Sequence, residues 1–197
     1  MANRNRFRES SLLNFAVTAF YALTMIKRAG GLFALLCISM LLMGASCSPK
    51  SARPSKFDLR FSVDAVLSGA SIQVDVMGAN TITDLPRLES YSVSEYWKPG
   101  NALRRDSAKA VLKFGPGLEA VQTLSSADPM WNTWLRTGAG VLVIFVDLPG
   151  TQSDRPGLAD PRRLIVSIDQ NEWGRVRTLE FVIQESGVRL ITARPIK

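Results

Sequence analysis

The chain has 197 residues, 46% of them hydrophobic and 21% charged, with a formal net charge of +7, two cysteines and no histidine. The lack of histidine excludes Ser-His and Cys-His catalysis, His-ligated zinc and an imidazole pH sensor. Residues 1–46 carry five of the basic groups and one acidic group, leaving 19 Lys and Arg against 16 Asp and Glu after them; these are interspersed and give no electrostatic footprint for nucleic acid.

The chain opens with MANRNRFRESSLLNFAVTAFYALT, which holds an apolar run, Leu12 to Ile26, broken by Asn14 and Thr18. Residues 1–24 read as sequence ahead of a true start at Met25; the alternative is an extended n-region or a first membrane span. Met25 to Cys47 then reads MIKRAGGLFALLCISMLLMGASC. Lys27 and Arg28 form a positive n-region. Gly31 to Met43 is an apolar core of 13 residues, too short to span a bilayer that needs about 20 and suited to a secretory h-region. Gly44, Ala45 and Ser46 lead into Cys47. This order resembles the lipobox of bacterial lipoproteins, in which the thiol is diacylated, the signal is cut before it and the new amino terminus is acylated. One departure is Gly44, where leucine is commonest. The resemblance implies a signal peptide at 25–46 and a lipid, such as palmitate, on Cys47. Ser48 after the cysteine resembles outer-membrane sorting, with the inner membrane as the alternative.

From Cys47 on, 151 residues remain, enough for one domain that buries about 68–70% of its unfolded surface. Cys37 lies in the h-region and Cys47 is the lipid site, so this part has no disulfide. Residues 47–56 form a polar, proline-containing tether and 57–197 a periplasmic domain. Phe57, Leu59, Phe61 and Val63 alternate with polar residues, as do Ile72, Val74 and Val76, so two half-buried strands are predicted, paired as a hairpin across Ser68-Gly69 with one wet face. Asp84 and Pro86 start a helix over 85–97 that Pro99-Gly100 stops. Short strands follow at 108–114 and 118–124, and Asp128-Pro129 begins a turn of helix with Trp131 and Trp134 on one face. Val141 to Val146 is unbroken apolar sequence, hence a strand buried on both faces. Residues 151–162 form a long Asp/Pro/Gly loop. Leu164, Val166 and Ile168 make one strand; Leu179, Phe181 and Ile183 make another, joined to 188–192 as a terminal hairpin. Six to eight short strands with turn signals between them predict a mainly β fold, a two-sheet antiparallel β-sandwich with one or two short inserted helices. Its core is expected to hold Phe57, Leu59, Phe61, Val74, Val143, Phe145, Val166 and Phe181.

The candidate constellations are few. Asp147, Asp154, Asp160 and Asp169 lack the spacing of a calcium loop, so no metal and no cofactor beyond the lipid is expected. Asp160-Pro161-Arg162-Arg163 reads as a turn into a strand with the arginines on a solvated face, a docking role being the alternative. The four tryptophans read as core or edge-sealing residues, with a ligand platform as the alternative.

A lipidated cysteine, a short tether, two alternating strands, a helical insertion and further strands in a sandwich together resemble the outer-membrane lipoprotein of type VI secretion systems, the TssJ family. The asparagine-proline of that family after the first strand is absent, since Ala65 to Ala70 reads AVLSGA. The resemblance implies a transthyretin-like sandwich that binds the periplasmic part of an inner-membrane TssM protein, and it carries no binding residue across. The expected function is therefore non-catalytic: an outer-membrane-anchored periplasmic lipoprotein that docks a partner protein in an envelope-spanning complex. The alternative is a ligand- or glycan-binding surface lipoprotein. Long loops on a rigid scaffold are where binding concentrates, which places the partner on the insertion at 78–107, with Tyr96, Trp97, Arg104 and Arg105 as contact residues, or on the 150–162 loop.

Overall fold

Strand alternation becomes two stacked sheets in the computed structural model, which describes residues 51–150 and 153–196. The readings made for residues 1–24, the signal at 25–46 and Cys47 lie outside the described residues.

Eight strands are present among the described residues: β1 Asp58–Val63, β2 Ile72–Ala79, β3 Lys109–Phe114, β4 Val121–Leu124, β5 Val141–Asp147, β6 Arg163–Ser167, β7 Thr178–Gln184 and β8 Gly187–Leu190. They form two four-stranded sheets, ordered β4-β1-β7-β8 and β3-β2-β5-β6. Every pairing is antiparallel except β1 with β7, which run parallel in register, Phe61 beside Phe181. The predicted mainly β two-sheet sandwich is the fold. The hairpin of the first two strands is not formed: β1 and β2 lie in different sheets, and the chain crosses the core between them. Alternation identifies the face a strand buries; it says nothing about which strand is its neighbour.

The predicted core residues are all buried, but they belong to two layers. Between the sheets pack Phe57, Leu59, Phe61, Val74, Leu142, Ile144, Val146, Val166 and Phe181 with Trp131, Trp134 and Trp173. The rings of Phe61 and Phe181 stack at 4.6 Å. Val143 and Phe145 point the other way. With Met77, Ala79 and Val141 they form a second apolar layer on the outer face of the β3-β2-β5-β6 sheet. The unbroken run at 141–146 is thus buried on both faces, as read from sequence, and the face of β2 taken to be wet is covered.

The cover is the insertion. It contains three short helices, α1 Leu85–Ser90, α2 Val93–Trp97 and α3 Ala102–Asp106. The single helix expected over 85–97 breaks at Tyr91, whose backbone is extended (φ −68°, ψ 137°). Ser92 then caps α2 by accepting from Glu95 N–H at 2.9 Å, and Asn101 caps α3 by accepting from Arg104 N–H at 2.9 Å. Leu88, Val93 and Tyr96 face the sheet. Two further helices, α4 Pro129–Arg136 and α5 Gln170–Trp173, carry three tryptophans inward. Asp128 caps α4, with Pro129 in its first turn. Gly78 lets α4 approach: a Cβ there would stand 2.4 Å from Trp134 Cγ. No helix among the described residues is long and apolar enough to cross a membrane.

Candidate functional site

The two long connections singled out from sequence meet on one side of the molecule, held there by charged side chains that the fold buries. Asp75, on β2, is fully buried under the insertion. Its carboxylate accepts from Tyr96 Oη at 2.9 Å, Arg104 Nε at 3.0 Å and Gln73 Nε2 at 2.9 Å. Three donors replace the water it lost. Burial, and then the negative charge of Asp75, push the Tyr96 hydroxyl well above the usual tyrosine range, so it stays a neutral donor. The Tyr96 ring stacks on Phe145 at 4.3 Å and meets Trp97 edge-on at 5.2 Å. Arg104 lies over the Trp97 ring, 4.3 Å from its centroid.

A second charged cluster fastens the loop. Arg162 gives Nε and Nη2 to the two oxygens of buried Asp160 at 3.0 and 2.8 Å, and Nη2 also reaches Asp154 at 2.5 Å. Asp154 in turn takes Ser94 N–H at 2.9 Å and the Ser92 hydroxyl, so the loop is tied to the first turn of α2. Burial opposes ionisation of both aspartates. The bonds from Ser92, Ser94 and Arg162 outweigh it at Asp154, and those from Arg162 and Arg155 outweigh it at Asp160, leaving both carboxyls below the usual range. Arg163, on β6, faces outward beside Phe145. It has no carboxylate within ion-pair distance among the described residues and donates instead to the carbonyls of Leu88 at 3.2 Å, Tyr91 at 2.6 Å and Gly157. Burial pulls its guanidinium below the usual arginine value.

These positions revise several readings. Arg162 and Arg163 are buried at 7% and 3% exposure rather than on a solvated face, because the helices above β6 leave no solvent there. Trp131, Trp134 and Trp173 are core, so three of the four tryptophans offer no platform. Of the four residues placed at a partner contact, Tyr96 is fully buried and supports the surface from beneath. Trp97 is half-buried under Arg104, which is itself tied to Asp75. Arg105 is exposed, beside Asp106 at 2.7 Å. The residue missed was Asp75; Asp154 and Arg163 were weighed as a metal candidate and as a turn with a docking alternative, and the structure gives them a different part, tying the loop and the insertion together. Asp75 occupies an alternating polar position on β2, and only the covering helices turn that position inward.

No family model matches the chain, and no curated protein matches it. Solved structures do resemble it. Lip of Serratia marcescens, described as a membrane-bound component of the type VI secretion system, aligns with a TM-score of 0.44 at 12% identity, covering 71% of this chain and 99% of that one. The C-terminal domain of the type VI secretion protein TssM from EAEC aligns at 0.45 and 11%, covering 70% and 99%. The type VI secretion lipoprotein TssJ1 of Pseudomonas aeruginosa aligns at 0.41 and 11%, covering 74% and 100%. No residue role is taken from them.

Proposed function

We propose that this chain is a lipid-anchored envelope protein on the periplasmic side of the outer membrane, and that it is a docking component of an envelope-spanning complex rather than an enzyme. The observation that carries the reading is the order of the chain: an n-region, a 13-residue apolar core, small residues and Cys47, with a domain whose backbone is already paired at Arg53. The resemblance to the TssJ family read from that order makes type VI secretion the specific complex and the periplasmic part of a TssM-type protein the specific partner. The docking face is the insertion with its clamped loop, where Trp97 and Arg105 remain accessible on a scaffold that buried ion pairs hold in one arrangement. The glycan-binding alternative loses three of its tryptophans to the core.

Mass spectrometry of the mature amino terminus tests the anchor; a diacylglyceryl Cys47 is expected, and an unmodified terminus elsewhere ends that part. Pull-down of the TssM-type periplasmic segment tests the docking face. Trp97→Ala with Arg105→Glu is the variant of choice, since Arg104→Ala would strand buried Asp75. Capture is expected to fall at least about tenfold, the loss of two hot-spot contacts worth 1 kcal/mol or more each; undiminished capture by the folded variant moves the interface elsewhere.

A further inference from the structure

Where the chain enters the sandwich there is an open groove of about 550 Å³ whose lining includes Arg53, Lys56 and Arg177 with Ser126 and Gln170 and, among the described residues, no carboxylate. Three separate stretches build it. The entering chain is fixed by a bridge between Pro54 and Asp169, with Arg53 N–H on Asp169 Oδ1 at 2.9 Å. The end of β4 supplies Ser126, whose N–H goes to Asp58 at 2.6 Å. The α5 segment supplies Gln170, whose Oε1 accepts from Arg177 Nη1 at 2.9 Å. Lys56 Nζ rests on the Asn132 amide oxygen at 2.6 Å. Lys56 and Arg177 thus rest on neutral amide oxygens, Arg53 is fixed through its backbone N–H, and among the described residues none of the three forms an ion pair. Asp58 and Asp169, beside the groove, accept from the backbone N–H groups of Ser126, Arg53 and Asn171.

The length of the chain before the groove says what faces it. Arg53 lies six positions after Cys47, and even fully extended that stretch reaches at most about 20 Å. The segment SPKSARPSK adds Lys50 to Arg53 and Lys56 with no acid. A groove lined by three cations, none of them in an ion pair among the described residues, therefore stands within about two Debye lengths of the surface holding the acyl chains. The geometry points to a lipid-headgroup site: the groove takes phosphates of anionic lipids in that leaflet and sets how the domain stands on the membrane. This rests on the lipid-anchor reading above. Guanidinium forks match phosphate oxygens in pairs, and each such cation beside an anionic surface strengthens association about fivefold.

The full chain, purified from membranes, is reconstituted on vesicles of phosphatidylcholine alone or with phosphatidylglycerol, and amide exchange is followed by mass spectrometry. Amides at 53, 55, 56, 126 and 170–177 are expected to exchange at least about fivefold more slowly on the anionic vesicles, the effect of one such cation. High salt and the Arg53→Gln, Lys56→Gln, Arg177→Gln variant should each remove the slowing. If that variant loses its circular dichroism signature, the single exposed reversal Arg177→Glu reads the same contrast. Equal exchange on both vesicles, or slowing that survives these variants, overturns the site. Slowing abolished by inorganic phosphate at matched ionic strength assigns the groove to a soluble anion and also overturns it. Flotation on neutral vesicles reads the anchor alone, so its loss breaks the anchor reading without altering the contrast between the two lipids.

Discussion

The two apolar layers of this protein are built differently. Between the sheets, 24 buried hydrophobic residues pack together among the described residues, 16 of them on strands whose pairing fixes their positions. On the outer face the buried cluster has eight, five on strands and three on the covering helices, which are only five or six residues long. Helices that short are marginal alone, and each needs tertiary contacts to exist. A thin apolar layer holds them loosely in register, because hydrophobic contact is non-directional. Direction comes from Asp75, Arg162 and Arg163, which bond to specific side chains and carbonyls of the insertion and loop. The strand layer is stabilised by area; the helical layer is positioned by polar bonds.

The largest expected effect tests both layers together. Phe61→Ala and Phe145→Ala should each cost about 3–5 kcal/mol in denaturant unfolding. Only Phe145→Ala, which removes the ring under Tyr96, should also speed amide exchange across 85–106 below the global unfolding limit. Equal exchange in the two variants would break the distinction between the layers.

Arg104→Ala should cost about 1–3 kcal/mol, since it takes one of three donors from a carboxylate with no exposure. Asp75→Asn combined with Arg104→Ala should recover part of that loss, because the amide buries no charge. A double variant as unstable as the sum of the singles would argue against a buried polar key.

Acid separates the layers next. The carboxyls of Asp154 and Asp160 are lowered in the folded state, so their contribution is full above the unfolded value of 3.8 and is lost as pH falls below it. Exchange in 153–162 and at the start of α2 should accelerate below about pH 4, ahead of β1 and β7. Base acts on Tyr96 with the opposite sign. Its folded value is raised, so its contribution is full below the unfolded value of 10.0 and declines as pH rises past it. Loss of all elements at one pH in either limb would count against local control by these groups.

The smallest effect is on the wet face of β1. Arg60 pairs with Glu180 at 3.3 Å, both about half exposed, and Arg60→Ala should cost no more than about 1 kcal/mol. A larger loss in thermal unfolding would show that this outer face matters more than its exposure suggests.

The strands were legible because their period is local. Phe57 to Val63 alternates whatever lies across from it, and Val141 to Val146 has no polar residue to show to water. The terminal hairpin was equally legible: Gly187 has φ 132°, and a Cβ there would lie 2.4 Å from Pro161 O, so the turn needs glycine. The caps at Ser92, Asn101 and Asp128 are residues that cap helices anywhere, although only Asp128 was read as one. Strand partners were not legible. Nothing in the alternation of β1 distinguishes β2 from β7, and the parallel pairing with β7 joins residues 120 positions apart in the chain, Arg60 and Glu180 among them.

Local pattern alone thus determined that this is a two-sheet β protein, because periodicity and apolar run length are properties of neighbouring residues. Tertiary structure decided the fate of the charged side chains. Asp75, Asp160, Arg162 and Arg163 have the composition of a solvated surface, and they are buried because the insertion folds over them. Arg53, Lys56 and Arg177 converge on one groove because the entering chain pairs beside residue 169. Whether a charge meets water or a partner depends on what packs above it, and that contact joins positions the sequence keeps far apart.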